Sequence, residues 1–157
     1  MLKTLEELLS ILQEERKKGK KIVFTNGCFD IIHAGHVDYL ERAKKLGDIL
    51  VVGLNSDDSV KRIKGEKRPI NPQEQRAKVL SSLKPVDYVV IFEEDTPEKL
   101  IRAIKPDVLV KGGDWPIEKI VGKEFVESYG GKVLTIPFTY NVSTTEIIKK
   151  IVELYCK

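Results

Sequence analysis

Five short apolar runs, none of which alternates with polar residues, constrain the fold of this chain more than any other feature. The longest is Ile49–Leu54, and the others are Lys21–Thr25, Tyr88–Phe92, Val108–Val110 and Val133–Ile136. A strand that is apolar along its whole length must be covered on both faces, which is typical of parallel sheets between layers of helices. We therefore expect an α/β fold, a Rossmann-like, doubly wound five-stranded parallel sheet with helices on both faces.

Helical patterns separate the apolar runs. A capping box that begins at Thr4 precedes leucines at helical spacing, which predicts a helix within residues 1–19. We place Pro72 and Pro97 at the first position of two further helices. The sequence shows no internal repeat and no linker, so we expect residues 1–157 to form one domain with the N-terminal helix packed on it. Ligands of such domains bind outside the carboxyl ends of the strands, and we expect functional residues after strands one, two, four and five.

The charge of the chain is nearly balanced. Lys and Arg number 27 and Asp and Glu number 24, a net charge of +3 that does not require a nucleic acid or an anionic membrane as partner. No apolar run reaches the roughly 18 to 20 residues that a membrane helix needs. The two cysteines, Cys28 and Cys156, lie far apart in sequence, as expected for reduced thiols. We therefore predict a cytoplasmic protein that binds neither a membrane nor nucleic acid.

The loop after the first apolar run, Asn26–His36, holds both histidines of the chain. If a helix begins near Ala34, His33 and His36 lie on one face of its first turn, beside backbone N–H groups and the positive end of the helix dipole. Gly35, between them, allows a flat base or a ribose to approach the backbone. This arrangement suits a bound polyphosphate.

Two other interpretations of this loop stay open. The histidines can simply cap the helix and pack against it. Alternatively, Cys28 could join His33 and His36 as ligands of a metal ion, although their spacing matches no structural zinc pattern. The phosphate-binding motifs G-x-x-x-x-G-K-[ST] and G-x-G-x-x-G are absent from the sequence, so a phosphate site here would be built differently.

Two segments of the chain resemble the signatures of the HxGH nucleotidylyltransferase superfamily. Phe29–His36 resembles its HxGH signature, and Ser143–Ile148 resembles its second signature, a Ser/Thr-rich start of the last helix. From about Lys20 to its end, the chain is similar to the adenylyltransferase domains of bifunctional ADP-heptose synthases. The closer matches are the stretches Gly53–Asp57, Arg68–Pro72 and Val110–Asp114.

This resemblance implies a single nucleotidylyltransferase domain that transfers AMP from ATP to D-glycero-β-D-manno-heptose 1-phosphate, giving ADP-heptose for the lipopolysaccharide core. An oxygen of the sugar phosphate would attack the α-phosphorus of ATP, and pyrophosphate would leave. Mg²⁺ would be bound through the ATP phosphates, without a ligand from a protein side chain. In those synthases a sugar kinase domain usually precedes this domain. Here the kinase step would fall to a separate heptose 7-phosphate kinase. A homodimer, common in the superfamily, is also expected.

The resemblance further implies roles for individual residues. His33 and His36 would donate hydrogen bonds to the α-phosphate, and residues 143–145 would hold the β- and γ-phosphates. The expected catalytic residues are His33, His36, Lys61, Ser143 and Thr144. The expected nucleotide-binding residues are Asn26, Gly27, Cys28, Phe29, Gly35, His36, Arg76, Lys111, Gly112, Asp114, Ser143, Thr144 and Thr145. The expected sugar-phosphate-binding residues are Asp30 and Lys64.

Simpler structural interpretations compete with several of these roles. Ser143 begins a capping box, and Asp30 fits an Asx turn equally well. The basic run Lys61–Arg68 can be a solvated loop, or a nucleic acid contact that lacks an aromatic stacking platform. Arg76 can be a surface residue of its helix, and Trp115 can pack instead of stacking on a ligand. These alternatives leave the individual roles open.

One position bears on the choice of nucleotide. In the cytidylyltransferase branch, an arginine that reads cytosine sits five residues before the second signature, and Phe138 occupies that position here. The resemblance therefore favours ATP over CTP. In the heptose enzymes a glycine often precedes the Ser-Thr-Thr run. Here the residues before that run, 139–142, are Thr-Tyr-Asn-Val. Two rival functions remain, a glycerol-3-phosphate-type cytidylyltransferase and a non-catalytic nucleotide-binding module.

Overall fold

A sheet of five parallel strands lies at the centre of the described residues, which are 1–113 and 116–156 of the computed structural model. The strands are β1 (Ile22–Gly27), β2 (Ile49–Asn55), β3 (Tyr88–Phe92), β4 (Val108–Gly112) and β5 (Lys132–Ile136). They lie in the order β3–β2–β1–β4–β5, and every neighbouring pair is parallel. The predicted doubly wound five-stranded sheet is confirmed.

Seven α-helices accompany the strands in the described part of the chain. They are α1 (Leu5–Lys17), α2 (Ala34–Lys44), α3 (Asp57–Lys64), α4 (Gln73–Ser81), α5 (Glu98–Ile104), α6 (Lys123–Ser128) and α7 (Thr144–Tyr155), with a 3-10 turn at Ile117–Lys119. None of these helices is long and apolar enough to cross a membrane. The prediction that Pro72 and Pro97 occupy the first helical position is wrong by one residue. Both prolines lie outside helical geometry as caps, Pro72 with an extended backbone, so α4 and α5 begin one residue later.

The helices cover both faces of the sheet. All seven residues of β2 are buried, and side chains that alternate along a strand enter opposite layers. Val51 belongs to the same core as Leu8 and Leu12 of α1, whereas Val52 belongs to the second core, with Leu40 of α2. Removing a leucine side chain completely from water contributes about 1.5–3 kcal/mol to folding. The apolar stripe of α1 therefore stabilises the same core as the sheet.

Two strands extend by two residues beyond the apolar runs that predicted them, and β2 and β5 each extend by one. β1 continues through Asn26 and Gly27, because Gly27 pairs with Leu54, and β4 continues to Gly112, which pairs with Ile136. Backbone pairing does not depend on side-chain polarity, so the apolar pattern underestimates both strands. β1 and β4 are neighbours without being consecutive, and a crevice for ligands forms at the carboxyl ends of such a pair.

Candidate active site

A cavity of about 890 Å³ opens at the carboxyl ends of the strands. It is lined by twelve of the predicted site residues: Asn26, Gly27, Cys28, Phe29, Asp30, His33, His36, Lys64, Lys111, Ser143, Thr144 and Thr145. The predicted residues Gly35, Lys61, Arg76 and Gly112 do not line it. Asp114 and its neighbour Trp115 lie outside the described residues. The structure therefore brings together the two signature segments that are far apart in sequence.

The two histidines lie at the start of α2, His33 as its N-cap and His36 in its first turn. Nδ1 of His33 accepts a hydrogen bond from the N–H of Gly35 at 3.1 Å, and Nδ1 of His36 accepts one from the N–H of His33 at 3.4 Å. Their rings stack with centroids 3.9 Å apart, and a Cβ atom on Gly35 would lie only 3.0 Å from the His33 ring. Because each Nδ1 accepts a bond, a neutral ring carries its proton on Nε2. Both histidines therefore line the cavity as Nε2–H donors while they also cap the helix.

Both imidazoles favour the neutral form. Burial lowers the pKa of His33 below its ordinary value. Burial, and secondly the charge of the nearby His33, lowers the pKa of His36 from 6.5 to about 4. At neutral pH the pair can donate hydrogen bonds to an anion without carrying a positive charge.

The low pKa of His36 makes the stability of the fold depend on pH. Below pH 6.5 the unfolded chain takes up a proton here, whereas the folded protein does so only near pH 4. We expect the wild type to lose about 3 kcal/mol of its free energy of unfolding between pH 7 and pH 4, relative to His36→Gln, which cannot take up this proton. Urea unfolding of both proteins across this range measures the difference. If the free energies of unfolding of the two proteins changed in parallel with pH, the lowered pKa of His36 would be contradicted.

The start of α7 meets the histidine loop at the cavity. Ser143 caps α7 by accepting the N–H of Glu146 at 3.1 Å, so the Ser143 half of the predicted capping box is confirmed. The hydroxyl of Thr144 donates to the carbonyl of Ile31 at 3.1 Å, which joins this helix to the histidine loop. Thr145 is exposed at the same helix end. The unpaired N–H groups and the dipole of a helix N-terminus favour an anion, so this end suits phosphate groups.

Asp30 anchors the loop that precedes α4. Its carboxylate accepts the N–H groups of Ile70 and Asn71 at 2.8 and 2.9 Å and Nε–H of Arg68 at 3.0 Å, and its side chain is 0% exposed. Burial by itself raises the pKa of this carboxyl, but the three donors together hold the pKa below its ordinary value. The partners lie about 40 residues away, unlike the local partner of an Asx turn, so that interpretation is wrong. Through Asp30, Arg68 is held at the cavity wall.

Arg76 is 1% exposed, so its interpretation as a surface residue is wrong. It donates to the carbonyls of Cys28, Asn55 and Asn71 at 2.7, 2.8 and 2.9 Å and pairs with Asp57 at 2.9 Å. A buried guanidinium needs such partners for its donors. These bonds tie the loops after β1 and β2 to the start of α4, behind the cavity wall. A direct contact between Arg76 and a triphosphate stays a prediction.

Three cationic side chains from the described residues line the cavity: Lys64, Arg68 and Lys111. Burial lowers the pKa of Lys111. Burial raises the pKa of the Cys28 thiol, which favours the protonated form that binds metals poorly. Within the described residues, no three His, Cys, Asp or Glu side chains converge as metal ligands. Lys61 is exposed on α3 away from the lining, so its catalytic role stays a prediction.

Sequence reasoning left the loop after β3 out of the site. Asp95, Thr96 and Pro97 nevertheless line the cavity, together with Asn55 at the end of β2 and Ile63 in α3. The omission was avoidable, because parallel strands bring all their carboxyl ends to one edge of the sheet. The acidic run 93–95 and Thr96, which follow an apolar strand, were the available signal.

Residues 138–142, in the segment that follows β5, form another part of the lining. Phe138 is 61% exposed, and its ring lies against Gly112 and meets the edge of Tyr39 with centroids 6.3 Å apart. The hydroxyl of Thr139 donates to Asp38 at 2.6 Å, which holds the segment on α2. The position that reads cytosine in the cytidylyltransferase branch thus carries an exposed aromatic ring at the cavity.

Residues 24–150 match the family model described as cytidylyltransferase-like. The bifunctional protein HldE of Geobacter metallireducens is 57% identical over 154 residues, which cover 98% of this chain and 31% of the relative. The bifunctional protein HldE of Hahella chejuensis is 59% identical over 148 residues, which cover 94% of this chain and 31% of the relative. The chain therefore spans about a third of the length of these curated relatives.

Two solved structures share the fold. A lipopolysaccharide core biosynthesis protein from Thermoplasma volcanium has a TM-score of 0.62 and 33% identity, covering 79% of this chain and all of that protein. Pantoate-β-alanine ligase from Francisella tularensis, complexed with β-γ ATP and β-alanine, has a TM-score of 0.62 and 18% identity. That match covers 98% of this chain and 78% of the ligase, and at this identity it supports the fold alone.

Proposed function

This chain belongs to the cytidylyltransferase-like family, and from that premise we propose that it transfers AMP from ATP to D-glycero-β-D-manno-heptose 1-phosphate. The products would be ADP-heptose and pyrophosphate. The family match and the relatives named bifunctional protein HldE support a nucleotidyltransferase activity. The specific sugar is carried over from the resemblance to ADP-heptose synthases and is the part that experiment must test.

One observation carries the proposal: the paired histidines and the start of α7 face a single cavity. The bond between Thr144 and the Ile31 carbonyl holds the two segments together. A cavity with imidazole N–H donors beside a helix N-terminus suits a polyphosphate better than a neutral ligand. A module that only binds a nucleotide would not need two imidazoles, those of His33 and His36, that each keep an Nε2–H donor at the cavity.

The reaction follows from this arrangement without a protein nucleophile. An oxygen of the acceptor phosphate forms a bond to the α-phosphorus of ATP, and the bond from that phosphorus to the bridging oxygen breaks. Pyrophosphate leaves with the electron pair, and no proton has to be removed from an acceptor that is already an anion. His33 and His36 stabilise the charge that gathers on the α-phosphate oxygens. Residues 143–145 hold the departing pyrophosphate, and Lys64, Arg68 and Lys111 supply positive charge.

Mg²⁺ is proposed as the metal ion. Mg²⁺ is commonly held by substrate phosphate oxygens and water, and a triphosphate supplies such oxygens. Bound there, the ion would neutralise charge on the triphosphate. We also propose a cytoplasmic homodimer that acts in the synthesis of the lipopolysaccharide core. Light scattering of the purified protein tests the oligomeric state.

Pyrophosphate release in the presence of Mg²⁺ tests the reaction. ATP and CTP are compared, each with and without D-glycero-β-D-manno-heptose 1-phosphate, and glycerol 3-phosphate serves as the alternative acceptor. We expect release only with ATP plus the heptose phosphate. Release with CTP plus glycerol 3-phosphate would move the protein to the cytidylyltransferase branch. ATP binding without release for any acceptor would instead favour a non-catalytic module.

A further inference from the structure

The loop after β3, residues 93–97, is held in place by the segment that follows β2. The hydroxyl of Ser59, which is fully buried, donates to the carbonyl of Glu94 at 2.8 Å. The side-chain amide of Asn55 donates to the same hydroxyl at 3.0 Å. A loop whose backbone is bonded to buried polar side chains keeps one shape, which is what a recognition site needs.

Asp95 and Thr96 present polar groups to the cavity from this loop. Nε of Arg62 lies 2.6 Å from Oδ1 of Asp95, and Arg62 also donates to the carbonyl of Glu93, so a residue outside the lining orients the carboxylate. Pro97 adds apolar surface directly beside these two side chains. A carboxylate and a hydroxyl next to an apolar surface match a polyol, whose hydroxyl groups need acceptors and whose C–H groups need apolar contact.

The chemistry of Asp95 and Thr96 differs from that of the lining residues at the histidine pair and the start of α7. A carboxylate paired with Arg62 offers a triphosphate no hydrogen-bond donor, whereas the histidine pair and the start of α7 offer several. A neutral, hydroxyl-rich group gains a charge-assisted hydrogen bond from the same carboxylate. These two sets of lining residues therefore suit different parts of the substrates.

We propose that Asp95 and Thr96 form a hydroxyl-binding subsite that recognises the uncharged polyol part of the sugar phosphate acceptor. Lys64 and Arg68 line the same cavity and supply the positive charge for the acceptor phosphate. The subsite rests on the proposed function, because it names the residues that select the acceptor of that reaction. It makes Asp95 a determinant of acceptor specificity without a role in binding ATP.

Steady-state kinetics of Asp95→Asn test the subsite. The substitution keeps the shape of the side chain and removes its charge. We expect the KM for D-glycero-β-D-manno-heptose 1-phosphate to rise at least about 10-fold, because a hydroxyl loses a charged acceptor, while the KM for ATP changes less than about twofold. Thr96→Val should raise the same acceptor KM by a smaller factor. Glu94→Gln is the matched control, since this neighbouring acid is exposed and does not line the cavity, and it should leave both KM values unchanged.

A binding measurement separates failure of the subsite from failure of the proposed reaction. The sugar phosphate is titrated calorimetrically into the wild type and Asp95→Asn, each saturated with a non-hydrolysable ATP analogue. Turnover by the wild type with an unchanged acceptor KM in Asp95→Asn would overturn the subsite alone, as would an equal rise in both KM values. Binding without turnover, weakened in the variant, would support the subsite and overturn the reaction. No binding of the sugar phosphate to the wild type would overturn both.

Discussion

Replacing either His33 or His36 by alanine is expected to lower kcat by about 100- to 1000-fold, while the Kd for ATP changes less than about threefold. The reason lies in the hydrogen bonds of the two rings. Each Nδ1 is occupied by a backbone N–H, which leaves Nε2–H to donate toward the cavity. Negative charge on the α-phosphate oxygens is greater in the transition state than in bound ATP, so a lost donor reduces turnover more than binding.

Three measurements make this result specific. Single-turnover kinetics report the chemical step, equilibrium titration reports the Kd for ATP, and circular dichroism shows that the variant is folded. His36→Gln retains an N–H donor and should recover part of the loss that His36→Ala causes. The reverse reaction, from ADP-heptose and pyrophosphate, should slow by the same factor because it passes through the same transition state. Turnover within fivefold of the wild type in both alanine variants would refute the role of the pair.

Replacing Asp30 by asparagine is expected to lower the free energy of unfolding by about 3 kcal/mol or more. The substitution removes the charge that pairs with Arg68, whose side chain is only 16% exposed, and it sets an amide group against donors from Ile70 and Asn71. A buried charge without its partner costs far more than an exposed one. The loop before α4 should therefore loosen, and Arg68 should lose its position at the cavity.

Urea unfolding at neutral pH measures the loss for Asp30→Asn. Asp58→Asn is the control, because Asp58 is an exposed carboxylate and its substitution should change the free energy by no more than about 0.5 kcal/mol. The pKa of Asp30 is lowered by folding, so the stabilising effect of the carboxylate is present above its ordinary pKa and is lost as pH falls through the lower value. The difference between the free energies of unfolding of the wild type and Asp30→Asn should therefore shrink as the pH falls. A loss under 1 kcal/mol at neutral pH would contradict the role of Asp30 as an anchor.

Short-range sequence patterns were sufficient to predict the strands and the helix starts that surround the site. Apolar runs such as Ile49–Leu54 predict strands buried on both faces, because an uninterrupted apolar strand has no face that water can cover. The capping pattern at Ser143 and the spacing of His33 and His36 predict two helix starts, since capping depends on residues only three apart. These signals lie within a few residues of one another, so they can be read without knowing which segments meet.

The sequence by itself determined the parallel sheet, the two helix starts and the residue types available for chemistry. Only the tertiary structure decided which of those residues reach the cavity. Arg76 was expected either at the nucleotide or on the surface of its helix, yet it is buried and bonds to carbonyls at Cys28 and Asn55 that lie far from it along the chain. Asp30 anchors Arg68, and Asp95 joins the lining, for the same physical reason. A polar side chain takes its role from the partners and the solvent exposure that packing gives it, and distant segments supply both.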